Sequence, residues 1–273
     1  MRRGDPQREG GLPAWAFGLA GLGLLVIALP VLALLIRADW PDLGADLASA
    51  GAVSALRLSL GTALVATLAC ALLGVPLALV LARGRGRWTG LVRAVVLVPL
   101  VLPPLVGGLA LLMLLGRRGL LGGPIAQATG LSLPFTTAAV VVAQTFVALP
   151  FLVVSVEGAL RGLDPGYART AASLGASPSR VFWTVTLPLL GPALRAGIVL
   201  SFARALGEFG ATALFAGNLP GTTQTMPLAI YTAFNGAGVS QGAATALAVL
   251  LIVCSLVLLV ASGQLGRGRA APW

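Results

Sequence analysis

Long apolar runs alternate with short polar segments along the whole chain. The apolar runs cover residues 12–36, 52–82, 91–115, 135–160, 193–216 and 241–262. At about 1.5 Å of rise per residue, each run is long enough to cross most or all of a hydrocarbon layer of about 30 Å as a helix. The pattern therefore predicts an all-α polytopic membrane protein with six transmembrane helices.

The first apolar run predicts a helix that stays in the mature protein. Residues 12–36 exceed the apolar region of a secretory signal peptide, and no small-residue cleavage site precedes Arg37. We therefore expect residues 1–50 to hold a cytoplasmic N-terminus and an added first helix. A transmembrane domain at 52–262 and a cytoplasmic tail at 263–273 follow.

The arginines predict the orientation of the chain. The segments between successive apolar runs lie on alternate sides of the membrane. Three of the 18 arginines lie in segments on one side, namely Arg37, Arg117 and Arg118. Thirteen fall in segments on the other side, namely Arg2, Arg3, Arg8, Arg83, Arg85, Arg87, Arg93, Arg161, Arg169, Arg180, Arg195, Arg267 and Arg269. Cytoplasmic loops carry the excess of positive charge, so both termini are predicted to be cytoplasmic.

Composition excludes several classes of site. The chain is 58% hydrophobic and 10% charged, with a mean hydropathy of +0.97, as expected for a membrane protein. It has no lysine, so it cannot carry a lysine-dependent phosphate-binding loop for ATP. It has no histidine, and Cys70 and Cys254 stand singly in apolar runs, so no metal, disulfide or histidine-dependent catalytic site is predicted. The net charge of +10 follows from the cytoplasmic arginines and does not indicate a nucleic-acid partner.

One polar segment, residues 163–188, predicts two short helices joined by a tight turn. Asp164 and Ser177 are suited to cap the two helices, and a proline follows each at the first helical position. Gly175 is suited to end the first helix. Pro188 predicts a break or kink before the next membrane segment.

The spacing within this segment resembles the cytoplasmic "EAA" loop of binding-protein-dependent ABC importer permeases. The positions that carry the resemblance are Arg169, Thr170, Ala171, Gly175, Val185, Leu187 and Pro188. Arg169 stands where the family has glutamate, and Thr170 replaces the first alanine. The resemblance implies a type I importer permease fold and a coupling helix that docks in a groove of the ATPase subunit. The alternative is an ordinary amphipathic loop between membrane helices.

Two features inside the apolar runs are candidate pathway elements. Pro103 and Pro104 should bend or break the third helix, either as a gate element or as a tolerated kink.

Arg204 and Glu208 lie four residues apart in the fifth run, about 15–25 Å from its cytoplasmic start. A lone charge there costs on the order of 2.5–3.5 kcal/mol, so the two should pair and face inward. Arg204 and Glu208 either hold helices together or line the pathway near its gate.

A second ion pair is predicted at the end of the fourth run, where Glu157 and Arg161 lie four residues apart.

Two stretches near the C-terminal end resemble the molybdate permease subfamily, whose nearest relatives carry sulfate and thiosulfate. They are RALGEFGAT at 204–212 and AGNLPGTTQTMPLAIYTA at 216–233. The resemblance implies import of molybdate or tungstate across the bacterial inner membrane. It also implies a permease homodimer, a separate ATPase dimer that binds ATP and magnesium, and an extracytoplasmic binding protein. A sulfate or thiosulfate permease is the alternative. A secondary transporter is disfavoured because the chain shows neither an internal repeat nor a proton-relay histidine.

Overall fold

The computed structural model describes residues 14–84 and 86–266, which form helices and connecting turns without a β-strand. The arginines at 2, 3, 8, 85, 267 and 269 lie outside the described residues, as does the predicted N-terminal segment before the first apolar run. The first four residues of the predicted tail, 263–266, belong to the last described helix, and the rest lies outside the described residues.

The described helices follow in this order: α1 Ala14–Arg37, α2 Leu43–Ala48, α3 Ala50–Arg83, α4 Arg87–Val101, α5 Pro104–Leu115, α6 Gly122–Thr129, α7 Thr137–Gly162, α8 Pro165–Ser173, α9 Pro178–Val181, α10 Leu187–Leu206, α11 Gly210–Phe215, α12 Met226–Phe234 and α13 Gln241–Gly266. A π-helical turn, Phe182–Thr186, joins α9 to α10. Five of the described helical segments are long and apolar enough to cross a membrane, and α4 with α5 supplies a sixth, broken one.

Small residues let the central helices α3, α7 and α10 pack closely. A Cβ atom at Gly74 of α3 would lie 2.6 Å from Leu152 of α7, so no larger residue fits without movement. Ser201 of α10 donates a hydrogen bond to the carbonyl of Ala148 in α7 at 3.2 Å. Close backbone approach and interhelical hydrogen bonds are the usual ways in which helices associate in lipid. Helix α1 lies at the periphery, where it packs against α13.

The third predicted span is broken at its proline pair. Helices α4 and α5 meet at 117° across Leu102 and Pro103. Pro103 and Pro104 lack N–H groups, so they cannot continue the hydrogen-bond ladder of α4. The predicted bend is therefore confirmed, whereas its role as a gate remains a proposal.

The fifth predicted span, 193–216, is wrong at both ends. One helical segment runs from Pro178 to Leu206, and α11 is a separate short helix. The sequence predicts a break or kink at Pro188, but the helix does not break there and continues through this residue just after the π turn. That wider turn shifts the hydrogen-bond register where the proline ring would otherwise clash with the preceding turn.

The segment 217–240, which lies between the last two apolar runs and is predicted to hold no helix, contains the helix α12. Met226, Leu228 and Ala229 of α12 are buried, and the backbone N–H of Met226 donates to Oγ of Ser59 at 2.7 Å. This bond fixes α12 against α3. The hydropathy pattern did not predict α12, because polar residues precede it.

Candidate coupling loop and translocation gate

Two helix breaks lie against each other. The first separates α4 from α5, and the second separates α10 from α11. A Cβ atom at Gly210, the first residue of α11, would lie 2.7 Å from Cβ of Pro104. One at Gly108 would lie 2.9 Å from Cα of Ala211. The fold thus brings the predicted proline pair next to the segment that carries Arg204 and Glu208.

Arg204 and Glu208 form the predicted ion pair. Nη1 of Arg204 lies 2.7 Å from Oε2 of Glu208, and their side chains are 27% and 1% exposed. Arg204 lies in the last turn of α10, about 26 Å from Leu187 at 1.5 Å per residue. The prediction that both residues share one face of a continuous helix is wrong, because α10 ends at Leu206 and Glu208 lies in the break.

The carboxylate of Glu208 also caps α11. Its Oε1 accepts a hydrogen bond from the backbone N–H of Ala211 at 2.7 Å. An anionic acceptor at a helix N-terminus satisfies a free N–H group and interacts favourably with the helix dipole. Glu208 therefore joins the end of α10 to the start of α11. Sequence reasoning missed this cap because it predicted no helix start at Gly210.

Buried side-chain polar atoms without hydrogen-bond partners lie on α7 and α11, beside the break between α10 and α11. Neither side-chain polar atom of Gln144 has a hydrogen-bond partner within the described chain, and the same holds for Oγ1 of Thr212. Ala143 and Val147, on either side of Gln144 in α7, share an apolar cluster with Ala211. Such unpaired buried groups are rare in folded proteins. The sequence analysis did not single out Gln144 and Thr212, because a single uncharged polar residue does not interrupt an apolar run.

The loop at 163–188 has the predicted capped geometry. Asp164 Oδ1 accepts from the N–H of Gly166 at 2.7 Å, and Ser177 Oγ accepts from the N–H of Arg180 at 3.3 Å. Gly175 has φ of +81°, a left-handed conformation that favours glycine. The N–H groups of Gly175 and the following residue bond back to the last turn of α8, as in a Schellman motif.

The loop exposes both polar and apolar side chains. Arg169 and Thr170 are exposed, Ala171, Val185 and Leu187 are half-buried, and Pro188 is exposed. The loop also carries three large exposed apolar side chains, Tyr167, Leu174 and Trp183, with Leu174 84% exposed. No described element covers them. Their docking function remains a proposal, developed below.

A buried carboxylate, Glu157, lies at the end of α7 that leads into this loop. Nη2 of Arg161 lies 3.1 Å from Oε1 of Glu157, so the predicted pair is confirmed. Nε of Arg93 in α4 also donates to Oε1 at 3.1 Å. This second partner is 64 residues away in the chain, and no local pattern signals it.

The chain resembles known transport proteins along most of its length. Residues 74–269 match the family described as binding-protein-dependent transport system inner membrane component. The molybdenum transport system permease protein ModB of Mycobacterium tuberculosis is 50% identical over 252 residues, which cover 92% of this chain and 94% of that protein. The protein of the same name from Escherichia coli K12 is 39% identical over 213 residues, which cover 78% and 93%.

Solved structures share the fold at low identity. A bacterial ABC transporter involved in the import of the acidic polysaccharide alginate superposes with a TM-score of 0.70 at 16% identity, covering 94% of this chain and 96% of that one. The inward-facing MetNI methionine ABC transporter gives 0.60 at 19% identity, covering 79% and 94%. Together with the sequence matches, these comparisons show that the chain belongs to the family of inner membrane components of binding-protein-dependent transport systems.

Proposed function

We propose that this chain is the permease subunit of an ATP-driven importer that carries molybdate, with tungstate as a close equivalent, into the cytoplasm. The observation that carries the proposal is the 50% identity to the M. tuberculosis molybdenum permease over nearly its whole length. The chain is a multi-pass inner membrane protein, and ATP hydrolysis belongs to a separate subunit. A sulfate or thiosulfate substrate is the second candidate, because the motifs at 204–212 and 216–233 resemble those of the wider oxyanion permease group.

The broken span supports assembly of two copies about a two-fold axis. In the register of α4, the carbonyls of Pro99 and Leu100 would bond to the N–H groups of residues 103 and 104, which are prolines. Val101, beside the break, is 85% exposed in the single chain. Backbone groups left without partners are not tolerated against lipid and must face protein or a water-filled cavity. A second copy covering this face would meet that requirement.

We place the point where the α4–α5 and α10–α11 breaks meet, called here the crossing of the two breaks, in the translocation pathway. Pro104 packs on Gly210, two residues beyond the Arg204–Glu208 pair. Arg204 keeps part of its side chain exposed, whereas Glu208 is enclosed. The arginine would attract an oxyanion at the gate, and the glutamate would keep it from binding too tightly. The alternative, a pair that only holds α10 to α11, predicts a different result for the variants described in the Discussion.

The loop at 163–188 is proposed to dock in a groove of the ATPase subunit. Its exposed apolar residues, Tyr167, Leu174 and Trp183, lie on an otherwise polar loop. A grouping of this kind commonly marks a protein contact. Asp164 caps α8, which carries Tyr167 and has Leu174 as its C-cap. Ser177 caps α9, which leads into the π turn that carries Trp183. The binding protein would deliver its substrate to the opposite face of the membrane.

Arg169 offers a test of how the loop meets the ATPase. Because Arg169 stands where the EAA pattern has glutamate, we expect the ATPase groove to present an acidic or neutral contact here. Changing Arg169→Glu should then weaken association by about tenfold, measured as the ATPase retained by the purified permease. Arg169→Gln is the control and should have a smaller effect. Tighter association of Arg169→Glu would contradict this account of the groove.

Uptake by the reconstituted complex tests the substrate. Proteoliposomes containing the permease and its ATPase, supplied with the binding protein, should accumulate labelled molybdate only when ATP is present at the ATPase side. Unlabelled tungstate should compete, and sulfate at tenfold excess should reduce uptake less than twofold. Efficient competition by sulfate would favour the second candidate, and uptake without ATP would contradict the proposed energy source.

A further inference from the structure

We propose that Glu157, with Arg93 and Arg161, forms a rigid joint that transmits movement of the loop at 163–188 to the broken span α4–α5. This inference rests on the coupling role proposed for that loop. It assigns a positioning function to three residues for which neither the sequence motifs nor the comparisons provide one.

A single enclosed carboxylate holds the joint together. The side chain of Glu157 is 8% exposed, whereas those of Arg93 and Arg161 are 33% and 49% exposed. Arg93 donates to both oxygens of Glu157, and Arg161 also donates to the carbonyl of Leu81 in α3 at 3.4 Å. The carboxylate thus joins α4 to α7, and Arg161 joins the same end of α7 to α3.

Helix α4 depends on this joint more than its neighbours do. Helices α3, α7 and α10 each bury several side chains, but α4 buries none of its residues in the described chain. Charge-assisted hydrogen bonds are shorter and stronger than those between neutral groups. Arg93 therefore gives α4 a specific attachment to α7, beside the apolar packing of Val96.

The joint lies on a continuous path between the two proposed functional elements. Arg161 precedes Asp164, the cap of α8, by three residues, so a displacement of α8 acts directly on this end of α7. Arg93 lies nine residues, about 14 Å, before the break at Leu102. Beyond the break, Pro104 packs on Gly210. Movement of the loop would thus reach the crossing of the two breaks through α4.

A latch is the competing interpretation of the same contacts. In a latch, the Arg93–Glu157 pair would open and close in every transport cycle. In a joint, the pair stays intact while α4 and the end of α7 move together. Spatial continuity alone does not separate the two, so the test must constrain the pair directly.

The first experiment removes the charge of the joint. Glu157→Gln should lower molybdate uptake at least tenfold and abolish the stimulation of ATP hydrolysis by loaded binding protein, while the ATPase still co-purifies. Arg87→Gln is the matched control, because it removes an exposed arginine of α4 that lies outside the joint, and its uptake should fall less than twofold. Normal uptake and normal stimulation in Glu157→Gln would overturn the proposal.

The second experiment replaces the ion pair by a covalent link. Arg93→Cys and Glu157→Cys are combined in a background with Cys70→Ala and Cys254→Ala, then joined by a short bifunctional thiol reagent. A joint predicts that linking restores uptake to at least half that of the background protein. Uptake that stays low after linking, or falls further, would overturn the proposal, and this result decides even if Glu157→Gln fails to assemble. Absence of molybdate uptake by the unmodified complex would instead contradict the proposed function.

Discussion

Replacing Arg204→Met and Glu208→Gln together should give a complex that assembles normally but takes up molybdate at least tenfold more slowly than the unmodified protein. Glutamine keeps an oxygen that can accept from the N–H of Ala211, so the cap of α11 survives. The pair loses both charges at once, which is far milder than leaving one enclosed charge alone. Uptake into proteoliposomes, normalised to assembled complex, measures the effect.

The single variants separate a structural role from a pathway role. Arg204→Met alone leaves the carboxylate of Glu208, 1% exposed, without its partner, at a cost on the order of 3–5 kcal/mol. We expect this variant to assemble poorly. If the pair only holds the helices together, the double variant should transport normally, and that outcome would remove Arg204 and Glu208 from the proposed pathway.

Changing Gly175→Val should uncouple ATP hydrolysis from transport. Gly175 has φ of +81°, and a Cβ there would meet no atom within 4 Å. The cost of valine is therefore conformational: left-handed geometry costs an L-residue roughly 1–2 kcal/mol, and β-branching adds to it. The turn between α8 and α9 should distort. We expect hydrolysis to continue while its stimulation by loaded binding protein and the uptake of molybdate both fall at least fivefold.

Gly175→Asn is the matched control for the turn. Asparagine adopts the left-handed conformation more readily than other residues with a side chain. Its side chain would enter the same open space, so it should retain most of the coupling. If valine and asparagine behave alike, the conformation of the turn is not what transmits the signal, and the proposed coupling role of the loop loses its main support.

The parts of the fold that could be predicted are those set by local sequence. Two apolar runs long enough to span the bilayer predicted the bounds of α3 and α7 to within two residues at each end. Asp164 and Ser177 gave the starts of two short helices, because a capping residue followed by proline is a local signal. The pair Pro103–Pro104 gave the break, because consecutive prolines delete consecutive backbone donors.

The parts that could not be predicted depend on contacts between distant segments. The π turn before Pro188 lets α10 extend back to the loop, and no residue type marks such a turn. Glu208 caps α11 only because α10 ends two residues earlier. Arg93 meets Glu157 through the packing of α4 on α7, and α12 enters the core through a hydrogen bond to Ser59. Periodicity and spacing carry no information on these contacts.

The most direct test of the proposed mechanism is an experimental structure of the permease assembled with its ATPase in a lipid nanodisc. We expect the structure to contain two copies of the permease related by a two-fold axis. Pro104, Arg204 and Glu208 of each copy should face that axis, and the loop at 163–188 should lie in a groove of the ATPase. A structure in which the crossing of the two breaks faces lipid, with the loop free of the ATPase, would contradict the account.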